Sequence, residues 1–239
     1  MLSKNVLFTQ LTGCSGCLMA ILGLEIFKDL MEVAKVDFFP FLCDSLEKEY
    51  NFTFVEGCSV NDERQLMELR SNTEILVALG SCAVLGGITS LSEEYPNYPL
   101  KEYVDVDYEI PGCPPPPLIL GRGIMNILAG KSLELDDRVL CYSCKYAKQI
   151  IDTPHISKII PVKPPNSCFL KEGVLCMGPI ARGGCEALCI DANIPCEGCT
   201  GSPSNYIAST INMLSTLSVT KEIREYNGLY FRFSNFKRK

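Results

Sequence analysis

The chain is short of histidine, of long apolar runs and of basic charge, and each shortage excludes a class of function. Its single histidine, His155, falls at no spacing that pairs it with a cysteine, so it is read as a surface or core residue. No stretch approaches the ~20 apolar residues needed to cross a bilayer, so no transmembrane segment is expected. Gly121-x-Gly123 lacks the third glycine and the preceding strand of a dinucleotide fingerprint, and there is no Walker loop, which leaves nucleotide binding without support. Repeats and low-complexity segments are absent. With 47% hydrophobic residues, 21% charged residues and a net charge of −6 over 239 residues, the composition is that of a globular protein with a core. It does not suit a nucleic-acid binder or a disordered chain. The opening residues, Met1 to Gln10, carry neither the apolar run nor the small-residue cleavage site of a secretory signal.

Cysteine, by contrast, is abundant: there are fourteen. In the cytoplasm, the expected compartment, thiols stay reduced and dense cysteine means metal rather than disulfides. Six of them (Cys168, Cys176, Cys185, Cys189, Cys196 and Cys199) fall within thirty-two residues broken by Gly and Pro, with neither helical nor strand periodicity. Something other than an apolar face must order that segment, and iron–sulfur clusters would do so, each taking about four thiolates.

Upstream, Asn5–Gln10, Lys35–Phe41, Phe52–Val55, Glu74–Leu79 and Tyr108–Ile110 read as strands. Helical spacing covers Leu18–Leu30 and Leu118–Ala129, and Asn61 or Asp62 supplies a cap for a helix through Arg70. Alternating strands and helices predict an α/β fold with a parallel sheet. Residues 1–130 form this first domain. Residues 131–239 form a small, mostly irregular module with little to build a core, apart from a late helix over Asn205–Val219. The tail from 221 is basic (Lys221, Arg224, Arg232, Lys237, Arg238, Lys239) and reads as a solvated terminus, with partner docking as the alternative. Cys14, Cys82 and Cys113 each lie just beyond a predicted strand, at the sheet edge where loops converge on ligands.

Cys14-x-x-Cys17 alone is ambiguous, because redox dithiols and zinc sites share it. With Cys82 and Cys113 it makes a tetrathiolate set among Gly13, Gly16, Gly80 and Gly112, whose bare backbone can approach a cluster. A structural zinc protein is the reading from another class.

Gly-Cys-Ser-Gly-Cys, Glu56-Gly57, Gly-Ser-Cys-Ala-Val-Leu-Gly-Gly and Pro-Gly-Cys-Pro-Pro together resemble the small subunit of nickel–iron hydrogenases. The likeness extends over roughly residues 5–205 and is greatest to the cytoplasmic branch of sulfhydrogenases and of deazaflavin-coenzyme-reducing and heterodisulfide-reductase-linked enzymes. It implies a flavodoxin-like first domain whose proximal cluster is held by Cys14, Cys17, Cys82 and Cys113. A distal cluster is implied at Cys141, Cys144, Cys168 and Cys176, with Cys141 where many members have histidine. Cys185, Cys196 and Cys199 match medial ligands, and Cys189 is the expected fourth. The resemblance thus implies three [4Fe–4S] clusters and no catalytic residue in this chain. Electrons would pass between the nickel–iron centre of a large subunit and a flavoprotein or iron–sulfur acceptor subunit. Glu56 is a candidate interface or proton-relay residue. Cys43 and Cys58 read as small buried hydrophobes. The alternative is a related carrier serving a non-hydrogenase reductase.

Overall fold

The structure is a computed structural model that describes residues 4–39, 48–57, 63–92, 94, 97–147, 167–204 and 232–233. Cys43, Cys58, His155 and the late helix expected over Asn205–Val219 lie outside the described residues. The chain divides into two compact units, Met1–Glu134 with Phe233–Lys239, and Leu135–Arg232.

Five strands build the first unit: β1 (Lys4–Gln10), β2 (Ala34–Phe39), β3 (Tyr50–Glu56), β4 (Thr73–Leu79) and β5 (Tyr108–Ile110). All pair in parallel, in the order β2-β1-β3-β4-β5. This is the flavodoxin-like order, whose direction of winding reverses between β1 and β3. The strands read as nearly unbroken apolar runs because parallel sheets are covered on both faces. In register, Val6, Phe8, Phe52, Phe54, Val77, Leu79 and Ile110 fall on one face and join one core cluster. Phe8 stacks on Phe54 at 4.8 Å and on Phe38 at 5.0 Å, an aromatic ladder across β2, β1 and β3. Each such pair adds roughly 0.5–1.5 kcal/mol beyond its buried area.

Covering that face are α1 (Gly16–Leu22), α2 (Phe27–Val33) and α5 (Pro117–Leu128). The single helix expected over Leu18–Leu30 is two, divided at Gly23. Leu18, Ile21, Leu24, Phe27 and Leu30 all reach the same core, so the apolar spacing continues through the break and hides it. On the rest of the sheet are α3 (Glu63–Ser71), burying Leu66 and Leu69, and α4 (Gly80–Leu85). α4 is not among the helices expected from the sequence. Gly80 enters at φ 83° and the helix then runs for only six residues, too few for a period to show.

The second unit has little regular structure: a 3-10 turn at Leu140–Tyr142, one helical turn α6 (Leu188–Asp191), and a bridge between Val139 and Arg182. It does bury a core, contrary to expectation. Leu140, Phe169, Leu170, Val174, Met177, Ile180 and Ile190 pack with Cys176 and Cys196, and Cys144, Cys168 and Cys185 lie against them. Apart from Leu140 in the 3-10 turn and Ile190 in α6, these residues come from loops, so no periodicity announces them.

The basic tail is not wholly solvated. Arg232 pairs with Glu197 at 2.9 Å within the second unit. Phe233, within the first, is buried and its carbonyl accepts the Gly87 N–H at 3.0 Å.

Candidate functional site

The C-terminal ends of β1, β3, β4 and β5 point the same way: Cys14 and Cys17 follow β1, Glu56 ends β3, Cys82 follows β4 and Cys113 follows β5. Cys14 precedes α1, Cys17 lies in its first turn, and Cys82 lies in the first turn of α4. Cys17 is buried, whereas Cys14 and Cys113 are exposed. The Cys17 thiol is pushed far up, first by burial and then by the charges of Glu56, Cys82, Cys113 and Cys14. All four cysteines and Glu56 therefore act on one spot. Ionised together and bare, they would repel one another strongly at low dielectric. Bound cations reverse that preference, since a coordinated thiol is deprotonated outright.

Glu56 ends β3 and is 2% exposed. Its Oε2 accepts the Leu18 N–H at 2.9 Å, and its Oε1 lies 3.9 Å from Cys14 Sγ. α1 has no side-chain cap of its own, so a carboxylate from a neighbouring strand satisfies one of its orphan donors. The sequence flagged Glu56 through its neighbour Gly57 but held no sign of this contact.

Two glycines show how little room remains. A Cβ on Gly80 would stand 2.3 Å from Cys17 Sγ, and one on Gly87 would stand 2.5 Å from Cys82 Sγ. Both residues also have positive φ, 83° and 70°, which side-chain-bearing residues rarely adopt.

In the second unit, Cys141 lies in the 3-10 turn and Cys144 just after it. Burial pushes the Cys141 thiol up to about 12, helped by the charges of Cys176, Cys144 and Cys168. These four are thus mutual neighbours. Gly178 floors them, because a Cβ there would lie 3.1 Å from Cys141 Sγ and 3.6 Å from Cys176 Sγ. Cys176, raised to about 11 mainly by burial, accepts the Cys196 N–H at 3.3 Å. Cys196 itself is pushed far up, first by burial, then by Cys176, Cys199 and Cys185. Cys189, exposed on α6, is raised by burial and then by Cys185 and Glu197. It neighbours Cys185, while Cys185 and Cys199 both bear on Cys196. Glu186 and Ala187, both at φ 55°, turn the chain between Cys185 and Cys189.

Backbone amides point at several of these sulfurs: Gly16 at Cys14, Tyr146 at Cys144 and Gly198 at Cys196, each at 3.4 Å. Among the described residues, none of the cysteines is in a disulfide. No group of three or more His, Cys, Asp or Glu side chains among them is disposed to hold a metal ion. Thiols around a four-iron cluster stand farther apart than those on one ion, because iron and sulfide fill the middle.

The sequence model of a family described as "NADH ubiquinone oxidoreductase, 20 Kd subunit" matches residues 14–127, the span that holds Cys14, Cys17, Cys82 and Cys113. A subunit of the F420-non-reducing hydrogenase of Methanothermobacter thermautotrophicus is 31% identical, over 90% of this chain and 84% of its own length. The chain belongs to the nickel–iron hydrogenase small-subunit family. It is therefore a subunit of an oxidoreductase acting on hydrogen, and a small subunit implies a large one. A second member, from the F420-non-reducing vhu hydrogenase of Methanococcus voltae, is 29% identical over 94% of this chain and 93% of its own length. The fold is shared with a solved [NiFeSe] hydrogenase chain from Desulfovibrio vulgaris Hildenborough, at a TM-score of 0.62 and 21% identity over 87% and 96% of the two chains. No helix among the described residues is long and apolar enough to cross a membrane.

Proposed function

We propose that this chain is the electron-transfer subunit of a nickel–iron hydrogenase and relays electrons through three [4Fe–4S] clusters. The proximal one is assigned to Cys14, Cys17, Cys82 and Cys113, the distal one to Cys141, Cys144, Cys168 and Cys176, and the medial one to Cys185, Cys189, Cys196 and Cys199. The observation that carries this reading is the grouping of thiols from distant loops. Within each set every cysteine acts electrostatically on at least one other, and the two sets of the second unit also adjoin through Cys176 and Cys196.

The residues present suit such clusters. Thiols crowded into partial burial need cations to ionise, and the glycines beneath Cys17, Cys82 and Cys141 leave room for those three sulfurs. Amides directed at sulfur are the means by which a protein tunes a cluster's potential. Clusters bound there supply one-electron carriers. The chain's own part is to hold the thiolates, exclude water around Cys17, Cys176 and Cys196, and aim N–H groups at sulfur.

In this reading the exposed Cys14 and Cys113 lie where the large subunit docks. A flavoprotein or iron–sulfur subunit takes the electrons at the other end of the relay. The reading puts the chain in the cytoplasm, where free thiols stay reduced.

The test is metal analysis of the complex purified without oxygen from its own cells. About twelve irons, with matching acid-labile sulfide, are expected for this chain at four per cluster, with nickel in the neighbouring subunit. Iron and sulfide without nickel would point to a carrier for a different reductase. Zinc in place of iron would overturn the assignment.

A further inference from the structure

We propose that Phe233, close to the carboxyl terminus, is a positioning residue for the proximal cluster, acting through Gly87 on Cys82. The inference rests on the assignment of Cys82 to that cluster and deepens it.

α4 carries Cys82 in its first turn and ends at Gly86, which sits at φ 95° and donates its N–H to the Cys82 carbonyl at 3.0 Å. Gly87 follows at φ 70° and folds back against the same cysteine. An added Cβ there would stand 2.5 Å from Cys82 Sγ and 2.8 Å from its Cα. The back of Cys82 is therefore a bare stretch of backbone, and the position of that backbone sets where Sγ can point.

The Gly87 N–H is held by Phe233, whose carbonyl accepts it at 3.0 Å. Phe233 is itself 6% exposed. Burial of the phenylalanine side chain is favourable and anchors the carbonyl it carries. Gly87 has no side chain to fix it and a φ that favours no helix or strand. Its carbonyl accepts the Ser90 N–H at 3.1 Å, and the constraint on its own N–H comes from 146 residues further along the chain. A segment that composition marks as a basic, solvated tail thus contributes to the wall behind a cluster ligand.

Three forms of the complex, purified anaerobically, test this. One ends after Arg232, one ends after Phe233, and one carries Phe233→Leu in the full chain. Iron count and reduced-state paramagnetic spectra are recorded for each. Ending after Arg232 should remove or shift the proximal signal, with a loss of up to about four irons of roughly twelve, while the distal and medial signals persist in the same sample. Ending after Phe233 should leave all three signals intact, and Phe233→Leu should restore most of the proximal one. Unchanged proximal signals without Phe233, or equal loss of all three, would overturn the proposal. A wild-type complex with no proximal signal at all would count instead against the cluster assignment, so the two failures are distinct.

Discussion

Glu56 and Leu18 are thirty-eight residues apart, yet the carboxylate of the one accepts the backbone N–H of the other at 2.9 Å, buried. That bond ties the last residue of β3 to the first turn of α1, and with it the loop that carries Cys14 and Cys17. The same carboxylate places negative charge beside Cys17, the second largest cause of its raised pKa after burial. Glu56 therefore orders the loop while making its thiol harder to ionise without a bound cation.

Replacing Glu56 separates those two effects. Glu56→Ala leaves a buried N–H without a partner, a loss of roughly 1–3 kcal/mol, and should lower the thermal midpoint of the complex. Glu56→Gln keeps an acceptor and removes the charge. Its midpoint should lie nearer the wild type, and its proximal cluster should reduce more easily because one neighbouring anion is gone. Calorimetry and a potentiometric titration of the paramagnetic signal check this. Equal loss of stability in both variants would mean that the hydrogen bond contributes little.

Cys82→Ala should abolish the proximal cluster and cut the nickel centre off from external acceptors. Dye reduction by hydrogen continuing at full rate would show that the relay order is wrong. Gly80→Ala should have a similar effect without touching a ligand, because its Cβ would stand 2.3 Å from Cys17 Sγ at a φ of 83°. Gly178→Ala, where the nearest sulfur would lie at 3.1 Å, should keep its iron and shift only the distal signal. The ranking of iron lost, Gly80 above Gly178, is the measurement.

Much of this was legible in the sequence for a physical reason. Strands buried on both faces give apolar runs that need no period to recognise, and Cys14, Cys82 and Cys113 follow the ends of β1, β4 and β5 as expected. Three features were not legible. Gly23 divides α1 from α2, but Leu18, Ile21, Leu24, Phe27 and Leu30 keep helical spacing across it because both helices face one core. The core of the second unit comes from loop residues such as Phe169, Met177 and Ile180, which share no period. The contacts of Glu56 with Leu18 and of Phe233 with Gly87 join backbone atoms to distant residues, and no residue type records them.

Cys189 offers a test of the medial ligand set with little structural damage. It is the second residue of α6, and proline is tolerated in the first turn of a helix, where its missing N–H has no intrahelical partner. Cys189→Pro should therefore break no intrahelical hydrogen bond while removing one thiolate, at the cost of disfavouring the helical conformation of Leu188 before it. The expected outcome is conversion of the medial cluster to a three-iron form or loss of about one iron, seen in the oxidised-state paramagnetic spectrum. An unchanged spectrum and iron count would remove Cys189 from the ligand set.

The other edge of the sheet supports a prediction about pH that does not involve the clusters. Asp37 on β2 accepts hydrogen bonds from Lys48 at 2.6 Å and from the Tyr50 hydroxyl at 3.2 Å. The Lys48 hydrogen bond is the chief cause holding the Asp37 carboxyl below its usual value. Tyr50, 3% exposed, is pushed up to about 12 by burial first and by the Asp37 charge second. The signs are opposite. The Asp37 contribution is present above the ordinary carboxylate range and is lost as pH falls through its depressed folded value. The Tyr50 contribution is complete below pH ~10 and is lost as pH rises from there towards about 12, because only the unfolded chain then ionises its phenol. Two units correspond to roughly 3 kcal/mol. The stability difference between wild type and Tyr50→Phe, measured by denaturant unfolding at pH 9 and at pH 11.5, should shrink or reverse by about 2 kcal/mol. Tyr50→Phe should be insensitive to that interval at this site. A difference that stayed constant across it would mean that Tyr50 ionises as freely in the folded protein as in the unfolded chain.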